Sequence, residues 1–262
     1  MSRFLKRLEQ ISSATPAPMG FGAARGQRTP GMALVGLVSR DYSAGIATVA
    51  DLAPDAALLA GAVDAAALRQ ARRSLGEATP WGVRVGSLTD EDAKAYGDGG
   101  CDLLAFPLQS TALGAVASDS MTRILSLEAD IELERLRALD SLPVDALLLP
   151  MTNITAPWTL GDLAAVTAVS RRVSKYVLLE VSQPPGAAEL VALRDAGVHG
   201  LVVDVASAPS GSLAGLKAAL LSMPRRRPGK RERTIASLPG SVFSTVEPLT
   251  HVEPGPEPDE DE

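Results

Sequence analysis

Residues 81–107, WGVRVGSLTDEDAKAYGDGGCDLLAFP, contain one strand–helix–strand unit from which the fold can be inferred. The apolar runs Trp81–Ser87 and Asp102–Pro107 are typical of buried strands, and Thr89–Tyr96 between them has helical character. A strand, a helix and the two turns that join them need roughly 20 to 25 residues. Units of this length recur on both sides of the quoted stretch.

Eight apolar runs repeat along the chain at a nearly constant spacing. Successive runs begin 21 to 30 residues apart, and a turn and a helical stretch follow each of them. Eight strand–helix units close into a parallel barrel with the strands inside and the helices outside. We therefore predict a single α/β domain with (β/α)8 barrel architecture. Its predicted strands are Ala33–Ser39, Ala56–Gly61, Trp81–Ser87, Asp102–Pro107, Ile124–Asp130, Ala146–Pro150, Tyr176–Ser182 and Leu201–Ser207.

The predicted barrel spans residues 32–223, and an N-terminal extension, residues 1–31, precedes it. Phe4, Leu5, Leu8 and Ile11 share one face of a helix in this extension. The pattern predicts a short helix that packs on the barrel or plugs its bottom. A membrane-surface anchor is the alternative interpretation.

Residues 224–262 differ in composition from the barrel. They contain seven of the nineteen prolines, with a basic stretch at 225–231 and an acidic end at 253–262. This composition predicts a disordered tail. Its apolar middle, residues 235–249, is suited to contact the barrel, a neighbouring subunit or a protein partner, and the basic stretch is a candidate contact for an anionic partner.

Net charge and composition disfavour several classes of protein. The 262 residues carry a formal charge of −6 with a pI near 5.1, which disfavours nucleic-acid binding. No apolar run is long enough to span a membrane, and the N-terminus lacks the pattern of a signal peptide. The single cysteine, Cys101, excludes an internal disulfide, and we predict a cytoplasmic protein.

Four charged residues stand inside strongly apolar strands, and they are the main candidates for a functional site. They are Arg84, Glu128, Glu180 and Asp204. Side chains alternate between the two faces of a strand. The apolar neighbours of each charged residue suit the face that packs against the helices, so the charged side chain itself points into the lumen. The sequence therefore predicts that all four converge at the centre of the barrel.

Three carboxylates facing one arginine leave a surplus of negative charge. A divalent cation with oxygen ligands, Mg²⁺ or Mn²⁺, would balance that surplus, so we predict Glu128 and Asp204 as metal ligands. Arg84 would hold the anionic group of the substrate, and Glu180 would act as acid or base. The alternative is a structural network of ion pairs in which the acids share a proton.

Other catalytic chemistries lack the residues that they need. No lysine stands at the carboxyl end of a predicted strand, which argues against a Schiff-base mechanism. His199 precedes the last strand and His251 lies in the tail, which argues against a histidine base or a histidine-bound zinc. Cys101 is at the entry of a strand and is predicted to be a core thiol.

A second candidate site follows the eighth strand. Ser210, Gly211 and Ser212 lead into the last predicted helix, and small residues at a helix start suit a bound anion. In barrels of this type, phosphate is often bound in this region. The same residues are also typical of an ordinary helix cap.

Over residues 32–223 the chain resembles the TIM-barrel superfamily. Two segments, GVRVGSLT at 82–89 and LSLEAD at 125–130, are similar to strands of magnesium-dependent citrate-lyase-β-like aldolases. The resemblance implies a substrate-binding role for Arg84 and a metal-binding role for Glu128. The chain departs from that pattern at residues 150–153, PMTN, where those enzymes supply a second metal carboxylate.

Three functions remain open from the sequence. The first is a metal-assisted carbon–carbon lyase or isomerase that acts on a small anionic metabolite. The second is a phosphate-binding barrel enzyme of sugar-phosphate or cofactor metabolism. The third is a non-catalytic barrel that serves as a binding or assembly module.

Overall fold

The computed structural model describes residues 1–13, 29–61, 64–128, 131–132, 134–154, 156–208 and 211–224. Eight parallel strands form a closed barrel in chain order, which confirms the predicted (β/α)8 fold. The strands are β1 Ala33–Val38, β2 Ala56–Ala60, β3 Trp81–Arg84, β4 Leu103–Pro107, β5 Thr122–Ser126, β6 Ala146–Pro150, β7 Tyr176–Val181 and β8 Gly200–Asp204. The basic stretch, the apolar middle and the acidic end of the tail lie outside the described residues.

One helix precedes the barrel and the others alternate with its strands. They are α1 Arg3–Ser12, α2 Tyr42–Leu52, α3 Ala65–Ser74, α4 Asp90–Gly99, α5 Leu136–Asp140, α6 Leu160–Ser170, α7 Ala187–Asp195 and α8 Ser212–Ser222. Between β4 and β5 a single 3-10 turn, Gly114–Val116, takes the place of a helix, and the helix between β5 and β6 begins only at Leu136. Among the described residues, no helix has the length and apolarity that a membrane span requires.

Two of the outer helices begin with the same reciprocal cap. Thr89 and Asp92 form this cap at the start of α4, and Thr159 and Asp162 form it at the start of α6. The Asp162 carboxylate accepts hydrogen bonds from the Thr159 hydroxyl at 2.7 Å and the Thr159 amide at 2.8 Å, and these bonds lower the pKa of Asp162. The caps satisfy amide groups that would otherwise lack partners at the helix starts.

The strands separate two apolar cores, as the alternation of their residues predicts. The outer core lies between strands and helices and includes Val83, Leu125, Leu179 and Val203. The inner core fills the lumen with the residues that alternate with these, among them Val35, Leu58, Ile124, Leu178 and Val202. The predicted inward phase of β3, β5, β7 and β8 is therefore confirmed.

The strand register stacks the lumen side chains in layers. On β4, Ala105 pairs with Arg84, whereas Pro107, two residues further along, pairs with Ser126. The other even strands show the same step. On β2 the residue that pairs with Leu37 lies two positions before the residue that pairs with Arg84, and β6 and β8 follow the same pattern. Because barrel strands are tilted, this step brings residues of alternate strands to one level. The layer nearest the carboxyl ends of the odd strands contains Leu37, Arg84, Ser126 and Glu180.

Helix α1 closes the opposite end of the barrel. Phe4 and Leu8 are fully buried and belong to the inner core. The Asp102 carboxylate accepts the backbone N–H groups of Arg3 and Phe4 at 2.8 Å each, and the hydroxyl groups of Ser2 and Thr122 are hydrogen-bonded. The predicted plug at the bottom of the barrel is thereby confirmed.

A polar acceptor precedes each even-numbered strand at this lower end. The four residues are Asp55, Asp102, Asp145 and His199. Three of them accept the N–H of the second residue of the preceding strand, at distances of 2.9, 2.8 and 3.1 Å for Asp55, Asp145 and His199. Asp102 differs, because its carboxylate accepts the first amides of α1.

Gly82 allows close packing of β3 in the lumen below Arg84. A Cβ atom at this position would lie 1.7 Å from the carbonyl oxygen of Leu103 and 3.0 Å from its Cγ. Since backbone atoms cannot yield as a flexible side chain does, no larger residue fits in this register.

We expect Phe4→Ala to lower the free energy of unfolding by about 3–5 kcal/mol, because it removes a fully buried aromatic side chain from the inner core. Glu9→Ala, at an exposed position on the same helix, should change it by less than about 0.5 kcal/mol. Chemical denaturation of both variants measures the difference. Equal stability of the two variants would mean that α1 does not plug the lumen.

Candidate functional site

An ion pair spans the lumen at the carboxyl end of the barrel. Arg84 is the last residue of β3, and Glu180 is the penultimate residue of β7. Three strands separate β3 from β7 in either direction round the barrel, so these side chains can meet only across its centre. The distance from Arg84 Nη1 to Glu180 Oε2 is 2.8 Å.

Arg84 retains hydrogen-bonding capacity beyond this pair. Its side chain is 30% exposed, whereas that of Glu180 is 13% exposed. A guanidinium group has five N–H donors, and the contact with Glu180 is the only hydrogen bond of the Arg84 side chain within the described part of the chain. The remaining donors are therefore available to an anion that enters from the mouth.

Ser126 is a third polar residue at this level, and sequence reasoning did not select it as a site residue. Its Oγ is buried and has no hydrogen-bond partner, and it is the one such side-chain atom among the described residues. Buried hydroxyl groups are normally paired, because an unpaired one is costly. The signal in the sequence is a serine at the inward position of a strand that also carries a candidate acid.

Asp204 ends β8 in the inward phase, where it organises the loop that follows. Its carboxylate accepts hydrogen bonds from the Ser39 hydroxyl at 2.7 Å, the Ser207 hydroxyl at 3.2 Å and the Ala206 amide at 2.9 Å. Both carboxylate oxygens are therefore engaged by donors from the loops after β1 and β8.

Glu128 lies two residues beyond the end of β5 and is exposed. It forms no side-chain hydrogen bond or ion pair with the described residues. Nowhere in the described ranges do three or more His, Cys, Asp or Glu side chains come together as a potential metal site. The Mg²⁺ or Mn²⁺ site at Glu128 and Asp204 therefore remains a prediction.

The predicted phosphate loop is only partly described. Gly211 precedes α8 with a left-handed φ of 82° and supplies no side-chain cap, and Ser212 is the first helical residue. Ser210 lies outside the described residues. A phosphate site at these three positions therefore also remains a prediction.

A shallow groove lies along α6, apart from the mouth of the barrel. It has a volume of about 380 Å³, and Leu160, which is 86% exposed, is one of its lining residues. All of the lining residues belong to α6 or directly follow it, and none of them is one of the charged lumen residues. The groove therefore adds nothing to the site around Arg84.

The fold and the position of this polar layer define a TIM-type barrel with a candidate site at its carboxyl mouth. No family model matches the chain, and no curated protein matches it. Its solved structural neighbours include a 3-keto-L-gulonate-6-phosphate decarboxylase, an HpcH/HpaI aldolase and variants of a tryptophan synthase alpha-subunit.

Three of these neighbours share the barrel at low sequence identity. A 3-keto-L-gulonate-6-phosphate decarboxylase from Vibrio cholerae is 11% identical over 72% of this chain and 96% of that chain, with a TM-score of 0.56. An HpcH/HpaI aldolase from Desulfitobacterium hafniense is 11% identical over 75% and 95%, with a TM-score of 0.54. A tryptophan synthase alpha-subunit variant from Pyrococcus furiosus is 12% identical over 72% and 96%, with a TM-score of 0.56. These likenesses show the fold.

Cys101 allows the burial of the lower end of the barrel to be measured by titration. Burial, and secondarily the charge of Asp102, raises the pKa of the Cys101 thiol to about 12 from an ordinary value of 9.0. At a pH between these two pKa values, the unfolded chain loses the thiol proton while the folded chain keeps it. The free energy of unfolding therefore falls as the pH rises.

We expect the free energy of unfolding of the wild type to fall more steeply with pH than that of Cys101→Ala. The difference should approach about 1.4 kcal/mol per pH unit between pH 9 and 11. Urea denaturation at a series of pH values measures both slopes, and the other titrating groups are common to both proteins. Identical slopes would contradict the burial of this thiol.

Proposed function

We propose that this protein is an enzyme that acts on a small carboxylic acid at the carboxyl mouth of the barrel. Arg84 binds the carboxylate, and Glu180 is the general acid or base. The observation that carries this proposal is the Arg84–Glu180 pair, which places a partly exposed cation and a carboxylate in contact across the lumen. Active sites of this fold lie at this end of the strands.

The charge balance of the pair favours a carboxylate over a phosphate dianion. The guanidinium group of Arg84 is the only cationic group of the polar layer formed by Leu37, Arg84, Ser126 and Glu180. The negative charge of Glu180 already offsets its positive charge. A dianion at Arg84 would lie close to the Glu180 carboxylate and be repelled by it, whereas a monoanion adds a single charge. The planar guanidinium also matches the two oxygens of a carboxylate.

Glu180 is placed to move a proton of the bound acid. Its carboxylate contacts the group that would hold the ligand, and a bound ligand would cover its remaining exposed surface. Exclusion of water from the mouth strengthens the electrostatic interactions among these groups. The names of the structural neighbours, which include an aldolase and a decarboxylase, support chemistry beside an acid group.

The other functions predicted from the sequence differ in the ligand that they require. A metal-assisted lyase or isomerase requires Mg²⁺ or Mn²⁺, a phosphate enzyme would use the loop around Gly211, and a binding module would require no reaction. The binding measurements below therefore include MgCl₂ and inorganic phosphate as separate additions.

We expect glycolate to stabilise the wild type and to lose this effect in Arg84→Gln. At ten times its Kd, the ligand adds about 1.4 kcal/mol, which raises the Tm of a chain of this size by about 3–6 °C. Thermal unfolding with glycolate, pyruvate, phosphate and MgCl₂ tests the proposal.

Arg73→Gln is the matched control, because Arg73 is an exposed arginine on α3. It should keep the full response to the carboxylates. An equal response in Arg84→Gln and Arg73→Gln would show that the carboxylate binds elsewhere. Stabilisation by phosphate alone would support the phosphate-binding alternative instead.

We expect Glu180→Gln to bind glycolate about tenfold more tightly than the wild type. The amide can still accept a hydrogen bond from Arg84, but the negative charge that faces the ligand is gone. Isothermal titration calorimetry measures the change, with Glu91→Gln on the exposed face of α4 as the control. Unchanged binding in Glu180→Gln would remove Glu180 from the site, and weaker binding would contradict the charge repulsion between Glu180 and the ligand.

A further inference from the structure

We propose that Ser126 is a ligand-binding residue, whose hydroxyl group binds an oxygen substituent next to the carboxylate held by Arg84. This inference rests on the proposed function and deepens it, because it narrows the substrate class from small acids to acids that carry such an oxygen. The inference assigns a role to Ser126 Oγ, the buried side-chain atom that has no hydrogen-bond partner in the described part of the protein.

The position of Ser126 places its hydroxyl beside the ion pair. β5 lies midway between β3 and β7 on one side of the barrel. The two-residue step in register that brings alternate strands to one level relates Ser126 to Arg84 across β4 and to Glu180 across β6. The contact between Arg84 and Glu180, which are two such steps apart, shows that the long side chains of this layer meet at the centre of the barrel. A ligand bound between the charged groups therefore meets the serine.

The fourth member of the layer orients the ligand. Leu37 occupies the equivalent position on β1, directly across the barrel from β5, and it is 4% exposed. The layer thus offers an apolar side chain on one side and a hydroxyl on the other, with the charges between them. A ligand whose carboxylate is held by Arg84 will turn its oxygen substituent towards Ser126 and its apolar part towards Leu37.

The layer below limits how deeply a ligand can enter the lumen. Leu58, Ala105, Leu148 and Val202 fill the lumen beneath the polar layer and are at most 1% exposed. Nothing larger than a side chain can enter this packed region, so the ligand must be bound at the mouth.

Glycolate and propionate test this inference because they have nearly the same shape and differ in a hydroxyl versus a methyl group. Calorimetric titration should show that the wild type prefers glycolate, and that Ser126→Ala binds glycolate about 3- to 10-fold more weakly with little change for propionate. Because the alanine removes an unpaired buried hydroxyl, the Tm of the ligand-free protein should stay equal or rise.

Thr122→Val is the matched control on the same strand. Thr122 is fully buried at the lower end of β5, where its hydroxyl is bonded to Ser2, so this variant should lose stability and keep its affinity for glycolate. Together the two variants separate damage to β5 from loss of a ligand contact.

Three results would overturn the assignment of Ser126. Unchanged glycolate affinity in Ser126→Ala, with binding still lost in Arg84→Gln, would leave the proposed function standing and remove Ser126 from the site. A lower Tm of ligand-free Ser126→Ala would show that the hydroxyl is bonded within the protein. Failure of the wild type to bind any of the carboxylates would overturn the proposed function and this inference together.

Discussion

A closed sheet of eight strands encloses a lumen, and that lumen must be filled by side chains. In this protein, small and branched aliphatic residues fill it in layers, and Phe4 and Leu8 of α1 complete the filling from below. The two-residue step in register between alternate strands determines which residues share a level. The helices, the loops and the candidate site all take their positions from this arrangement.

The polar layer at the mouth is the exception to apolar filling. Burial of Arg84 and Glu180 without each other would be strongly unfavourable, and their contact at 2.8 Å offsets part of that cost. An apolar pair of similar volume could have closed the layer without such a cost. An ion pair and an unpaired hydroxyl that share one layer near the mouth are therefore the features of the described lumen that favour the proposed ligand binding over a purely structural role.

The spacing of apolar runs predicted the barrel, and the alternation of residues predicted the inward direction of Arg84 and Glu180. The valines beside Arg84 determine its phase, because aliphatic residues favour the helix layer. Alternation predicted the same direction for Glu128, but this residue lies two positions beyond the end of β5, where alternation no longer constrains direction. Alternation also turns Ser126 inward, but a serine by itself does not specify a chemistry, and only the geometry shows that its hydroxyl lacks a partner among the described residues. Helix α2 lacked a clear pattern because its small residues carry little periodicity.

The contact of Asp102 with α1 has a consequence for the order of folding. The first amides of the helix are held by a carboxylate some hundred positions later in the chain, and the surface that receives Phe4 is built from residues of all but one strand of the barrel, β3 being absent. Helix α1 leaves the ribosome before every strand of the barrel and can therefore dock only after β8 has closed the sheet. Until then it is an amphipathic segment without its binding surface, and its docking completes the barrel as a late, long-range step in folding.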